Sequence, residues 1–145
     1  MRLRRIPAAA IPGEWGWIGP RLVKAIETDP ERTPADVLRE LAAGELHLWL
    51  VTGFEASGLV VTTAGQVLGT GRNGFWVLYA QGEVSGGPRQ RLAAYRDMMS
   101  LFEKMARDCG ADEIWIEARS EWGRALANYE VLQAGSERTS YRKVL

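Results

Sequence analysis

Two long stretches of the chain carry apolar residues at helical spacing. In residues 15–26 and 92–109, apolar side chains recur at steps of three and four, so each set falls on one face of a helix. The second stripe places Cys109 on the buried face, and Gly110 is suited to end that helix. Both stretches are therefore predicted to form amphipathic helices.

Two shorter helices are expected from their end signals. Thr33 is suited to an N-cap, Pro34 to the first helical position and Gly44 to the end of a short helix. Ser120 is suited to cap a last helix. Three residues of that helix share a face: Trp122, Leu126 and Tyr129.

Dense apolar runs, rich in β-branched and aromatic residues, predict strands between the helices. Three runs follow one another across short glycine-rich turns and are expected to pair antiparallel: residues 46–51, 59–63 and 75–79. Further strands are expected at residues 2–6, 113–117 and 141–145. Glu113 and Glu117 flank one of them with the same parity, which favours a solvent-facing edge.

The order of these elements resembles that of the GNAT acetyltransferases. It runs strand, two helices, three antiparallel strands, then helix, strand, helix and strand. The resemblance covers nearly the whole chain. It implies a single domain over residues 1–145 of the α/β (α+β) class, with a central mixed, mostly antiparallel sheet flanked by about four helices.

In that family, the loop before the long helix holds the pyrophosphate of acetyl-CoA through backbone N–H groups and the partial positive charge of the helix N-terminus. The resemblance gives these candidates for cofactor binding: Ser85, Gly86, Gly87, Arg89, Gln90 and Arg91. The adjacent glycines lack the family's Gly-x-Gly/Ala spacing, and Pro88 removes one backbone donor. A strand-to-helix turn without a cofactor is the alternative.

The same resemblance gives two candidates for acid–base chemistry. Glu83 follows the central strand, where a general base can sit, and Tyr129 matches the family's proton donor to the departing thiolate. The family's Gly-Phe pair is absent, because Gly135 is followed by Ser136. A solvated loop carboxylate and a buried helix-face tyrosine are the alternatives.

A narrower resemblance is to small GNAT-like proteins encoded among the structural genes of tailed bacteriophages. It rests on residues 48–51, on the glycine-rich loop after the third antiparallel strand and on residues 141–145. It implies a protein of the virion or host cytoplasm that contacts other subunits of an assembly and uses no cofactor. The sequence favours this structural or accessory role, and an active acetyl-CoA-dependent N-acetyltransferase is the alternative hypothesis.

The six tryptophans are a further indication of protein contacts. Exposed tryptophan anchors many interfaces. Four are candidates for such a role: Trp15, Trp17, Trp76 and Trp122. Burial in the core is the alternative for at least half of them.

Charge and composition exclude several function classes. Eighteen basic residues balance eighteen acidic ones, so no general attraction to nucleic acid or anionic lipid is expected. The one histidine, His47, and the one cysteine do not make up a zinc site. No run approaches the roughly 20 apolar residues of a membrane span. We therefore expect a soluble protein that is made inside a cell.

Overall fold

The computed structural model describes residues 1–53, 56–119, 122–135 and 137–145. Its three helices are α1 (Ile11–Glu27), α2 (Pro34–Ala42) and α3 (Pro88–Asp108). Its seven strands are β1 (Arg2–Ile6), β2 (His47–Gly53), β3 (Ala56–Gln66), β4 (Asn73–Val84), β5 (Glu113–Ala118), β6 (Glu130–Ala134) and β7 (Thr139–Val144).

The strands form one sheet in the order β1-β2-β3-β4-β5-β7-β6. Every neighbouring pair is antiparallel except β4 and β5, which run parallel. Two adjacent parallel strands need a long crossover between them, and α3 supplies it. The predicted mixed, mostly antiparallel sheet is confirmed.

Helices cover both faces of the sheet. On one face, Ile18 and Leu22 of α1 are fully buried in a cluster that includes Tyr79 of β4. On the other face, Phe102 of α3 is fully buried in a cluster with Val77 of β4. Burying such a side chain contributes about 1.5–3 kcal/mol, so these two apolar layers hold the helices on the sheet.

The start of α2 is the one that its sequence predicts. The Thr33 hydroxyl accepts a hydrogen bond from the Asp36 N–H at 3.2 Å, and the Asp36 carboxylate accepts one from the Thr33 N–H at 2.9 Å. This reciprocal pair is a capping box, and Pro34 stands at the first helical position.

The predicted last helix is wrong for the residues described. Residues 122–129 form turns, with the Leu126 N–H donating to the Trp122 carbonyl at 3.1 Å. The Ser120 cap lies outside the described residues. Local pattern does not decide the structure of so short a segment, because a helix under about 12 residues depends on tertiary packing and on its caps, as α2 does. Three helices therefore flank the sheet instead of about four, and the unpredicted strand β6 follows.

Two side chains lie opposite to their predicted positions. Cys109 is exposed and not on the core face, because α3 ends at Asp108 and Cys109 is its C-cap. Glu113 is fully buried at the start of β5, where the Arg72 guanidinium lies 3.7 Å from its carboxylate. The Trp115 indole donates to the Glu113 carboxylate at 2.9 Å. Glu117, at the other end of β5, is exposed as expected.

In the part of the chain that the structure describes, no helix has both the length and the apolar composition needed to cross a membrane.

Candidate functional site

Strands β4 and β5 separate halfway along their length. Their parallel pairing ends at Val77 and Ile116. Beyond this point β4 continues to Val84 and β5 to Ala118. The facing edges of the two strands lack a strand partner there, so backbone N–H and C=O groups of β4 border an open gap.

A β-bulge in β4 marks the start of this gap. Val77 pairs with Thr62 and Tyr79 with Val61, so Leu78 is an extra residue opposite β3. A bulge bends its strand and re-aims the following side chains. The bulge is the structural reason why β4 leaves β5 at this position.

The gap is part of a cleft of about 410 Å³ that reaches both helical layers. Lys24 of α1 lines it on one side of the sheet, and Phe102 of α3 lines it on the other. Eight consecutive residues of β4, 77–84, form one wall. The cleft therefore passes through the sheet between two strands.

Helix α3 begins only a short turn after the β4 wall. Gly86 has a φ of 97°, Gly87 is the N-cap and Pro88 is the first helical residue. No side chain of the described residues caps this helix start, and its first turn holds no acidic residue. The N–H groups of Arg89 and Gln90 have no acceptor within the helix and carry the positive end of its dipole.

The charged residues of the described cleft lining are mostly cationic. Four basic side chains take part, Arg21, Lys24, Arg119 and Arg138, against the carboxylates Glu83 and Glu117. This lining favours an anionic ligand. In the described residues, no group of three His, Cys, Asp or Glu is placed to hold a metal ion.

Arg138 lies where the two strands part. Its guanidinium donates to the Leu78 carbonyl and forms an ion pair with Glu117 at 2.9 Å. It also stands over the Tyr79 ring, with its central carbon 5.4 Å from the ring centroid. Arg138 thus supplies the hydrogen bond that β5 no longer gives to β4.

A second cavity of about 640 Å³ lies on the α1–α2 side. Arg138 and Glu117 line both this cavity and the cleft. Asp29 lines it as well and accepts a hydrogen bond from the Tyr79 hydroxyl. Burial, and then this contact with Asp29, raise the pKa of Tyr79, so its hydroxyl stays protonated.

The two acid–base candidates are not brought together. Glu83 is exposed and lines the cleft, whereas Tyr129 is buried and lines a third cavity, of about 400 Å³, beside α3. The Tyr129 hydroxyl makes no hydrogen bond with standard geometry to any described residue. Burial, and then the nearby Glu103 carboxylate, raise its pKa. Their catalytic roles stay predictions.

The cofactor-loop candidates are open to solvent. Of the six, only Gly87 is half-buried, and the others are exposed. The Gln90 side chain lies over the two glycines, so closely that a Cβ on Gly86 would stand 3.0 Å from the Cβ of Gln90. The loop is therefore exposed to solvent, and the Gln90 side chain covers its two glycines.

The four candidate tryptophans have different surroundings. Trp122 stacks on Tyr95 at 4.4 Å between ring centroids and lines the cleft, and Trp76 stacks on Trp115 at 6.3 Å. Trp15 is partly buried against the α1–α2 layer, and Trp17 is 38% exposed. Their role in protein contacts stays a prediction.

The sequence did not single out Leu78 or Arg138. The apolar run of residues 75–80 shows no break at the bulge, and Arg138 is one of many arginines. Val77 and Tyr79 are two positions apart and yet are buried on opposite faces of the sheet, which marks the bulge, but the sequence shows only that both are apolar.

Comparison with known proteins decides the fold. No family model matches the chain, and no curated protein of similar sequence was found. Among solved structures, FeeM, an N-acyl amino acid synthase from uncultured soil microbes, has a TM-score of 0.61 at 13% identity, over 99% of this chain and 95% of that one.

Two further solved structures match this chain over nearly its whole length. A GNAT-family acetyltransferase from Listeria monocytogenes has a TM-score of 0.53 at 9% identity, over 99% of this chain and 94% of its own. Ribosomal-protein-alanine N-acetyltransferase from Brucella melitensis has a TM-score of 0.57 at 12% identity, with both chains covered completely. The chain has the GNAT fold. At these identities the likeness establishes the GNAT fold and not the activity.

Proposed function

We propose that this protein is an acyl-CoA-dependent acyltransferase that acts on an amine. The observation that carries the proposal is the cleft between β4 and β5, which passes through the sheet and is followed at once by the uncapped start of α3. An opening of this kind suits a long ligand with an anionic head and a reactive end inside the protein.

The residues present fit the diphosphate of CoA. The free N–H groups of Arg89 and Gln90, with the dipole of a 21-residue helix, favour an anion. The Gln90 side chain lies over Gly86 and Gly87 and would have to turn away for the anion to approach, and the exposed Arg91 adds a positive charge in the first turns of α3. Pro88 contributes no donor, so the fit depends on fewer N–H groups than a full glycine-rich loop offers.

The unpaired edge of β4 suits the extended arm of such a ligand. Residues 79–83 present backbone groups to the cleft that no strand of the described sheet takes up on that side. A CoA thioester, when bound, supplies an acyl carbonyl that is activated toward attack by an amine. In the cleft, residues 79–83 of β4 would hold this arm, and the acyl carbonyl would lie within the lining of the cleft.

Proton transfer is assigned to Glu117, with Glu83 as the alternative. Glu117 lines both the cleft and the second cavity, so it can reach an amine that arrives from either side. Its ion pair with Arg138, at 2.9 Å, fixes its position. The names of the similar structures, an N-acyl amino acid synthase and an alanine N-acetyltransferase, support the choice of an amine acceptor.

Thiol release from acetyl-CoA and longer acyl-CoAs, measured with a panel of primary amines, tests this function. We expect turnover that falls at least about tenfold in Glu117→Gln, with Glu83→Gln as the matched comparison. Loss in Glu83→Gln alone would move the assignment to Glu83. Absence of turnover with every amine, together with absence of CoA binding, would contradict the proposal.

A second candidate function is a structural or accessory component of a bacteriophage particle. Strand β6 supports a protein contact, because it is a sheet edge with every residue exposed, including Val131 at 57% and Leu132 at 39%. An exposed strand edge can pair with another chain. Sedimentation analysis of the protein and of Val131→Lys tests this contact, and a monomer at every concentration would argue against contacts between copies.

A further inference from the structure

One border of the cleft is a single stripe of helix α1. Residues three and four positions apart share a face of a helix, and the lining takes four such residues of α1 together with its C-cap: Pro20, Arg21, Lys24, Ala25 and Thr28. Ala25 is buried, whereas Arg21 and Lys24 are exposed. The two basic side chains therefore border the cleft where it opens to solvent on the α1 side.

The strands on either side of the gap direct polar side chains toward this border. Tyr79 of β4 packs into the apolar layer of α1, and alternate residues of a strand point to the same face, so Gln81 and Glu83 also face α1. On β5, Ile116 packs into the opposite layer, so its neighbour Glu117 faces α1 as well. The carboxylate assigned to proton transfer thus shares a face of the sheet with the two α1 cations.

The two α1 cations are not neutralised by a direct contact. Among the residues that the structure describes, neither Arg21 nor Lys24 forms an ion pair. The Arg21 guanidinium lies over the Trp17 ring, with its central carbon 5.6 Å from the ring centroid, a contact that leaves its charge in place. Glu83 on the facing strand offsets one of the two charges. The border therefore keeps a positive charge that can hold an anionic group.

The proposed site of the CoA diphosphate lies on the other face of the sheet. Helix α3, whose start forms that site, packs on the layer that contains Phe102 and Val77, whereas α1 packs on the layer that contains Leu22 and Tyr79. The diphosphate at the start of α3 therefore does not use the α1 cations. They lie on the face to which Glu117 points, which is the face from which an amine reaches it.

We propose that the acceptor is an amine that also carries an anionic group, as an amino acid does, and that Arg21 and Lys24 hold this group. This inference rests on the proposed acyltransferase function and specifies its acceptor. The free amine forms a C–N bond to the acyl carbon, the C–S bond breaks, the nitrogen loses one proton to Glu117 and CoA leaves as the thiolate. Charge-assisted hydrogen bonds from the α1 cations orient the acceptor for this attack.

An acceptor with a second positive charge is the competing class. The second cavity, which shares Glu117 with the cleft, is also lined by Asp29 and Glu31. The Asp29 carboxylate, however, already accepts hydrogen bonds from the Tyr79 hydroxyl and, at 2.8 Å, from the Glu31 N–H. The side chains on the α1 border have no such commitment, so the structure favours the anionic acceptor, and a diamine belongs in the test.

Rates of acyl transfer from acetyl-CoA to matched acceptors test the proposal. Glycine, β-alanine and 4-aminobutyrate are each compared with their amides, which keep the size and lose the negative charge, and 1,4-diaminobutane supplies a second positive charge. We expect kcat/KM to be at least about fivefold higher for the acid than for its amide at one or more of these lengths. Added salt should reduce this ratio, because it screens exposed charges.

Neutral replacements on α1 identify the residues responsible. In the double variant Arg21→Gln with Lys24→Gln, the ratio of kcat/KM for the acid to that for its amide should fall to about one, since no cation remains on that border. Arg4→Gln removes the same charge from an exposed site on β1 outside the cleft lining, and it should keep the ratio of the unmodified protein. A double variant that kept the ratio would overturn the assignment to Arg21 and Lys24.

The outcomes separate this inference from the function on which it rests. Equal kcat/KM for every acid and its amide, faster transfer to 1,4-diaminobutane than to any of the acids, or turnover only with amines that lack a carboxylate would overturn the anionic acceptor and leave an acyltransferase in place. Absence of turnover with every amine, together with absence of CoA binding, would overturn both. The comparison of acceptors in the unmodified protein decides the matter even if the double variant does not fold.

Discussion

The guanidinium of Arg138 donates a hydrogen bond to the carbonyl of Leu78, a residue 60 positions earlier in the chain. Leu78 is the bulged residue at which β4 leaves β5. The contact therefore satisfies a backbone acceptor that the separation of the strands would otherwise leave unpaired. It ties the last third of the chain to the start of the cleft.

Replacing Arg138 tests the importance of this contact. Arg138→Ala leaves the Leu78 carbonyl and the Glu117 carboxylate without their partner, and it should lower the free energy of unfolding by about 1–3 kcal/mol. Arg138→Lys keeps the charge, but an ammonium group lacks the planar guanidinium that contacts Leu78 and Glu117 at once. It should therefore recover only part of the lost unfolding free energy. Urea unfolding measures both variants, and a change below about 0.5 kcal/mol in Arg138→Ala would argue against the role.

The close pairing of Gly58 with Gly82 across β3 and β4 predicts a large difference between two glycine substitutions. Gly82→Ala forces a Cβ against the Ser57 carbonyl, so we expect a loss of about 2 kcal/mol or more. Gly65→Ala, in the same pair of strands, meets no atom within 4 Å and should change stability by no more than about 0.5 kcal/mol. Thermal unfolding compares the two, and equal effects would contradict the close approach of β3 and β4.

Helix α3 offers a test of anion binding that keeps the fold intact. Gln90→Glu places a carboxylate at the helix start, which favours the helix dipole but repels a diphosphate. We expect the Kd for CoA to rise about tenfold while the melting temperature holds or rises. Gln66→Glu, the same change at an exposed end of β3, is the control and should leave CoA affinity as it is.

Removing the Tyr129 hydroxyl distinguishes a catalytic acid from a buried tyrosine with no catalytic role. This hydroxyl is buried near the Glu103 carboxylate but makes no hydrogen bond with standard geometry to a described residue, so Tyr129→Phe should change the unfolding free energy by no more than about 1 kcal/mol. We also expect turnover to persist, since Tyr129 lines a different cavity from the cleft. A large loss of turnover without loss of stability would instead support the acid role that the sequence predicts.

His47 should make stability depend on pH in mildly acidic solution. Burial, and then the charge of Arg5, lower the pKa of His47 in the folded protein. The unfolded chain, whose histidine keeps a pKa of about 6.5, then binds a proton more readily, so stability falls as pH drops through this value. Because the chain has one histidine, the difference between the unmodified protein and His47→Gln at pH 7.5 and 5.5 isolates the effect. If the two proteins differ in unfolding free energy by the same amount at pH 7.5 and at pH 5.5, the assignment of this pH dependence to His47 is contradicted.

Much of the architecture could be predicted because it depends on local patterns. The apolar stripe of residues 92–109 fixes the face of α3, and the capping residues Thr33 and Pro34 fix the start of α2. The last helix could not be predicted correctly, because its short apolar pattern also fits a series of turns. The burial of Glu113 depends on contacts with residues far away in the chain, such as Arg72, and local spacing does not contain them.

The candidate site was predictable only in part. The resemblance placed the cofactor loop and Glu83 beside the strand that borders the cleft. Its key geometry depends on long-range contacts: the bulge at Leu78, the approach of Arg138 and the pairing of Gly58 with Gly82. Each joins residues far apart in the chain, so no window of sequence contains it.

Amide NMR during titration with CoA tests the central claim most directly. If CoA binds in the β4–β5 cleft, the amide signals of residues 79–83 and of Arg89 and Gln90 should shift together as CoA is added. Those of α2, on the far side of the sheet, should stay in place. Unchanged spectra at millimolar CoA, or shifts confined to residues outside the cleft and the start of α3, would contradict the account.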